Sequence, residues 1–280
     1  MRCDAQPFRL RVSLFAAEAV RGDALQAGWG RRRREVIQRQ SEAIVLRTWP
    51  FHEADLLVSF FTREQGKVKG IARSAMKSRK RFGGALEPMT HVVASYVEKP
   101  RQDLVRIDSF EVISTPLSRP IDYGRTAGLQ FVAEVLDDTL QEHDPQDAVF
   151  RLALAVLEPM QVGRVWMPLT YFALWVTRLM GWMPELTRCS VCGGGLRGVA
   201  AYYHPSEDGL LCAEHRRPAG ATLSLESVAL ATRIFSSPIT AFAAEEWPRS
   251  RALDLRRFVF GALERHLEHR LSSARALAKL

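Results

Sequence analysis

The sequence is poor in cysteine, and that scarcity is the first constraint on what it can be. Four cysteines in 280 residues are too few and too unevenly placed for a disulfide framework, which points to a reducing compartment. Long apolar runs are missing as well: none reaches the roughly eighteen residues that a bilayer-spanning helix needs. The apolar stretch Phe8–Val20 is broken by Arg9, Arg11 and Glu18, and no small-residue cleavage site follows it. It does not read as a signal peptide, and a cytoplasmic location is the expectation. Catalytic signatures are absent too. There is no Walker loop, GxGxxG, GxSxG or His-Glu-x-x-His, and "GKVKG" at Gly66–Gly70 lacks both the upstream glycine and the following Ser/Thr of a phosphate loop. The acid pairs Glu53–Asp55 and Asp137–Asp138 fall in an expected turn and on an expected solvated helix face. The chain therefore reads as a binding protein, not an enzyme.

What is present is positive charge, and it is unevenly distributed. The formal net charge is +8, which favours an anionic partner such as nucleic acid. Residues 1–40 stand apart: glycines at 22, 28 and 30 precede Arg31–Arg34, and a poorly ordered extension is expected there. From Ser41 the hydrophobic period is two. "SEAIVLRT", "LLVSFFT", "KVKGIA", "HVVASYVE" and "LVRIDSFEVI" read as five short strands within a region spanning 41–118. Five strands of this length suggest a small barrel, with an OB-fold as the first candidate and an SH3-like barrel as its rival. After Pro116 and Pro120 the period becomes helical. Helices are predicted over Tyr123–Gln141, Asp147–Met160, Pro168–Met180, Leu225–Phe235 and Arg249–Arg270, within a second region spanning 119–280. The expected class is thus α+β and multidomain: a five-stranded OB-fold barrel, then an all-helical domain with a metal knuckle inserted at 188–217.

That knuckle holds three of the four cysteines. Between Cys189 and His215 the spacing is Cys-x2-Cys, nineteen residues, then Cys-x2-His. Each closely spaced pair can turn two donors onto one ion, and Gly193–Gly195 supply permissive backbone after the first pair. Four soft or borderline donors around one ion make a closed tetrahedral zinc site, structural because no position is left for water. Cys189, Cys192, Cys212 and His215 are the expected ligands, with His204 as the alternative fourth. A nucleobase deaminase would need His-x-Glu upstream of Pro-Cys-x-x-Cys; Arg188 precedes Cys189 here, and that reading fails.

The second informative stretch is "TREQGKVKGIARSAMKSRKRFGG". Between Arg63 and Arg81 it holds eight basic residues against the single acid Glu64. Alternation puts Lys67 and Lys69 on one side of a strand, and Lys77–Arg81 reads as a flexible loop able to follow a phosphate backbone. The expected DNA-binding set is Lys67, Lys69, Arg73, Lys77, Arg79, Lys80 and Arg81. Trp49, Phe51, Phe82 and Tyr96 are candidate stacking platforms. Charge tracking without a base-reading motif implies little sequence preference.

With barrel, helices and knuckle in order, the chain from Ser41 onward resembles the RecO family of bacterial recombination mediators. The resemblance rests on "AIVLRTWPFHEADLLVSFFTREQGKVKGIARSAMKS", "LEPMTHVVASYVEK", "LMGWMPELTRCSVCGG" and "YHPSEDGLLCAEH". It departs at His215, where cysteine is the commoner ligand. The resemblance implies a nucleoid-associated, non-enzymatic protein that binds single- and double-stranded DNA and anneals complementary strands. Such proteins act with RecR to load RecA onto strands coated by single-stranded-DNA-binding protein (SSB), whose acidic tail they capture. Arg125, Arg151 and Arg178, in the helical region, are candidates for holding that tail. Two other classes stay open at this point: a zinc-dependent nucleic-acid hydrolase, which needs an open metal position, and a zinc-containing transcription regulator, which needs a recognition helix.

Overall fold

Five strands wrap into a closed barrel in the computed structural model, which describes residues 36–118, residue 120 and residues 122–280. The expected extension up to residue 35, with Cys3 and Arg31–Arg34, lies outside the described residues. The strands are β1 (Ile37–Pro50), β2 (Leu56–Thr62), β3 (Gly66–Ala72), β4 (His91–Glu98) and β5 (Val105–Ser114), ordered β1-β2-β3-β5-β4 around the barrel. β1 begins four residues ahead of the expected Ser41 boundary, because Ile37–Gln40 pair with Glu98–Ser95 of β4. Its second half pairs with β2, and a register shift between Val45 and Arg47 lets one strand serve two neighbours. β3 closes on β5 in parallel, Gly70 opposite Val105. Glycine is needed at that point of closure: a Cβ on Gly70 would sit 2.6 Å from the Val105 side chain. The topology is OB-like, with a one-turn helix α1 (Arg79–Phe82) between β3 and β4.

Alternation assigns each strand two faces. Val45, Val58, Phe60, Val68, Ala72, Tyr96, Ile107 and Phe110 fill the barrel, and Phe82 of α1 closes it against Phe110 at 6.1 Å. The opposite parity points outward. Ile44, Leu46 and Phe61 there belong to a second core that they share with the helices, and the Phe61 ring meets Phe150 edge-on at 5.3 Å. The barrel and helical regions are therefore packed through a common core.

The helices are α2 (Tyr123–Thr139), α3 (Asp147–Gln161), α4 (Trp166–Leu179), α5 (Leu225–Ser236), α6 (Leu253–Leu267) and α7 (Ser272–Ala278). Leu129, Val132, Val135, Leu136 and Leu140, the apolar positions of the first predicted helix, are all buried. Leu179 is 38% exposed at the end of α4. The single helix predicted over Arg249–Arg270 is shorter, because Ala252 and Glu268 adopt left-handed backbone at its two ends. A separate α7 follows. Its first turn is held by Glu134 of α2, which accepts from the amides and hydroxyls of Ser272 and Ser273. Among the described residues, no helix is long and apolar enough to cross a membrane.

Candidate metal centre and nucleic-acid interface

The four sequence-nominated ligands converge. The donor atoms of Cys189, Cys192, Cys212 and His215 all lie within 4.8 Å of one another. Cys212 Sγ is 3.1 Å and Cys189 Sγ is 3.9 Å from His215 Nδ1, and Cys192 Sγ is 4.0 Å from Cys212 Sγ. A tetrahedron with zinc–sulfur bonds of about 2.3 Å has sulfurs about 3.8 Å apart, so the donor set fits one tetrahedral ion. His204, the alternative ligand, is turned to the hydroxyl and amide of Ser206 instead and is outside the cluster.

Backbone geometry explains the convergence. Cys189 donates to the Gly194 carbonyl and accepts from the Gly193 amide, a tight turn that needs the left-handed backbone of Gly193. The second pair is brought alongside by the Ser190 amide on the Leu210 carbonyl and by reciprocal bonds between Tyr202 and Leu211. Gly209 permits this approach, since a Cβ there would lie 2.8 Å from Ser190 Cβ. Burial pushes the Cys189 thiol up, but amides of Cys192, Cys212 and Val191 outweigh it and bring the thiol to about 6, close to the thiolate form that a metal needs. Cys189, Leu196, Leu210 and Leu211 belong to the helical core, so the knuckle is built into the fold.

The basic residues divide into two groups. Lys67 is buried, and its ammonium donates to the Asp137 carbonyl in the last turn of α2. Lys69 pairs with Glu142 at 2.6 Å, and Arg63 bonds Asp147 at 3.0 Å and Glu42 at 3.3 Å. Asp137 is itself buried and accepts from Ser59 of β2, which corrects the expectation of a solvated acid pair. The outer face of β2–β3 is thus covered by the α2–α3 corner, and Lys67 leaves the expected DNA-binding set. Burial lowers its proton affinity, partly offset by Asp137.

At the other end of the barrel Arg73, Lys77, Arg79 and Lys80 are exposed. The ion pairs of the described residues involve none of them. The segment after β3 is an ordered turn running into α1, not the flexible loop expected, because Ala75, Phe82 and Ala85 plug the barrel. Arg81 is partly spent locally: it donates to Ser78 Oγ and to the Arg73 carbonyl. Tyr96 and Phe82, offered as stacking platforms, are buried in the barrel core. Phe51 is 41% exposed, and Trp49 is half-buried beneath Arg47 at 5.7 Å. The turn carrying Phe51 is bolted to the basic turn by the Ser74 amide on Asp55 Oδ1 and the Met76 amide on the Ala54 carbonyl. The sequence places Asp55 in a turn, as found, but gives no sign of the bond by which it ties that turn to the basic one.

The three arginines proposed for an acidic tail are not equivalent. Arg125 is buried and clamps the link between β5 and α2 by donating to the Pro116 and Pro120 carbonyls, so it is not available to a partner. Arg151 is exposed and paired with Asp147 one turn earlier. Arg178 lies over the rings of Phe235 at 4.6 Å and Trp175 at 5.6 Å.

Fold and site together define a class: an α+β protein in which an OB-like barrel is joined to a helical region. The α4–α5 connection of that region, with a two-stranded sheet (Ala201–Tyr203 and Ala221–Leu223) that corrects the all-helical expectation, carries a Cys3His cluster able to hold a metal ion. The family model described as Recombination protein O N terminal matches residues 36–116, and that described as Recombination protein O C terminal matches residues 121–275. The chain is 54% identical over 242 residues to a DNA repair protein RecO of Koribacter versatilis (strain Ellin345), covering 86% of this chain and 99% of that one. A DNA repair protein RecO of Anaeromyxobacter sp. (strain K) is 33% identical over 240 residues, covering 85% and 94%. The chain belongs to the RecO family.

Proposed function

We propose that this protein is a non-enzymatic mediator of recombinational DNA repair, which binds DNA through the end of an OB-fold barrel. On this reading it anneals complementary strands and, with RecR, helps RecA onto strands covered by SSB. The observation that carries the DNA-binding part is the set of four exposed basic residues, Arg73, Lys77, Arg79 and Lys80, without acid partners among the described residues and held on an ordered turn. A pre-ordered cationic turn meets phosphates without first losing its own conformational entropy. The annealing of complementary strands, naked and SSB-coated, tests the reading. Replacing the four residues by alanine should abolish annealing on both, while the fold stays intact. Unimpaired annealing by that variant would overturn it.

The Cys3His cluster would hold one zinc ion in a structural role. When bound, the ion supplies a cross-link between the Cys189–Cys192 and Cys212–His215 turns. The chain's own part is to present Cys189 near its thiolate form and to bury Leu196, Leu210 and Leu211 behind the site. Four protein donors leave no position for a substrate or water, which favours a structural over a hydrolytic role. Metal analysis should find one equivalent of zinc, and Cys189→Ser should lose it together with several degrees of melting temperature. Retention of metal and melting temperature by that variant would refute the assignment.

A further inference from the structure

Two turns at one end of the barrel meet through a carboxylate. The β2–β3 ladder ends with Leu56 opposite Ala72. One residue further, Asp55 Oδ1 accepts from the Ser74 amide at 2.7 Å, and the Met76 amide on the Ala54 carbonyl at 3.2 Å completes the join. Ser74 holds left-handed backbone, φ 52°, which a residue with a Cβ keeps only where its surroundings enforce it. The chain reverses there. The Lys77 amide reaches the Ser74 carbonyl at 3.1 Å and the Ser78 amide that of Ala75 at 3.3 Å, while Ala75 is packed into the barrel core. From the other side Arg81 donates from Nη2 to the Arg73 carbonyl at 2.7 Å and from Nε to Ser78 Oγ at 3.0 Å. A closed turn keeps Ser74 and Lys77 within about 7 Å, against about 10 Å for extended chain. Charges interact over about 8 Å at physiological salt, so closure lets neighbouring cations act on the same phosphates.

We propose that Asp55 is the positioning residue of the cationic turn, with Arg81 as its counterpart: both hold the turn closed, and neither meets a phosphate. This rests on the DNA-binding reading above and adds to it how the cations are held. A carboxylate at the base of a cationic turn is otherwise adverse, because its charge repels phosphate. The ion pairs of the described residues do not include Asp55, so it does not serve to neutralise a neighbour. What it supplies is order, since a turn already closed binds a strand without first losing its own freedom. Arg81 supplies the same from the other side. Its planar fork reaches two acceptors of its own chain at once, which the single ammonium of a lysine does not reproduce.

The test measures the affinity of the full chain for an oligo-thymidine strand, per folded molecule, together with hydrogen exchange of the Ser74, Met76 and Lys77 amides. For a bystander acid, removing the charge would strengthen binding. Asp55→Ala should instead weaken it about fivefold, the cost of ordering a freed turn. Exchange at the three amides should quicken, and the salt slope should stay unchanged because no cation is lost. Asp55→Asn keeps the acceptor oxygen without the charge, and reports even if the alanine variant proves unstable. It should keep slow exchange and bind as tightly as wild type, or up to about twofold more tightly for want of repulsion. Arg81→Lys keeps the charge without the fork and should behave as Asp55→Ala does. Binding by Asp55→Ala at or above the wild-type strength, or equal weakening by Asp55→Asn, would overturn the role of Asp55; wild-type affinity in Arg81→Lys would overturn that of Arg81. If alanine at Arg73, Lys77, Arg79 and Lys80 together leaves the affinity unchanged, the DNA-binding reading itself fails and takes this one with it, which is a different result.

Discussion

Lys67 and Lys77 stand ten positions apart on one basic stretch, and the fold gives them opposite fates. Lys67 is packed under the α2–α3 corner with its ammonium on a helix-end carbonyl, where the helix dipole is negative. Lys77 is exposed, on a turn that the barrel core holds in place. What separates them is the supply of acids from elsewhere in the chain. Asp137, Glu142 and Asp147 meet Ser59, Lys69 and Arg63 on the covered face. Among the described residues, no such group meets Arg73, Lys77, Arg79 or Lys80. A basic run is thus not one site: part of it joins two regions of the protein, and part faces outward.

The largest expected effect that sharpens this contrast is on stability. Lys67→Ala removes a buried charged donor and strands the Asp137 carbonyl, at a cost of about 1.5–3 kcal/mol. Denaturant unfolding should show it, while the DNA affinity of the folded fraction and its salt slope stay at the wild-type values. A variant of wild-type stability that binds DNA less tightly would reverse the assignment of the two lysines.

Alanine at Lys77, Arg79 and Lys80 should give the mirror image. Exposed substitutions of this kind change stability by about 0.5 kcal/mol or less. For single strands, every phosphate that the variant no longer neutralises should flatten the slope of log K against log salt by about 0.7. The intermediate case is Lys69, half-exposed and paired with Glu142. Glu142→Gln frees it, and a slightly steeper salt slope is expected. An unchanged slope in the triple variant would break the comparison, because the free group would then be no more engaged with phosphate than the buried one.

Much of this is legible in the sequence, and the exceptions have a common cause. The five strands and the Cys3His cluster follow from period and spacing, which are local properties. The fate of Lys67 depends on Asp137, seventy positions away, and alternation says only that Lys67 and Lys69 share a face. Asp137 misleads in the same way, since an acid on a helix surface looks solvated until a barrel is laid over it. Arg125 looks like a free helix arginine, yet it is consumed by the carbonyls of two prolines that a sequence marks only as helix breakers. Tyr96 goes to the interior because closure, here by the β1–β4 and β3–β5 pairings, decides which parity faces the barrel core, and Phe82 because α1 plugs that core from outside the sheet. Phe51 fares better, as a residue in a turn is outside that parity.

The smallest effect concerns an acid consumed by the fold in the way Lys67 is. Glu134 of α2 faces α7, and its carboxylate accepts both amides and both hydroxyls of Ser272 and Ser273. Burial pushes its proton affinity up, but those four donors outweigh burial and hold it below the ordinary value of 4.5. A carboxylate lowered in the folded state binds fewer protons there than in the unfolded chain. The stability it contributes is therefore full above pH 4.5 and is lost as pH falls through its lower folded value. Glu134→Gln keeps an acceptor oxygen but does not titrate. Hydrogen exchange of the α7 amides should be faster in that variant at neutral pH, and the gap from wild type should close on acidification. A gap that persisted at low pH would mean that the shape of the side chain, and not its charge, docks α7.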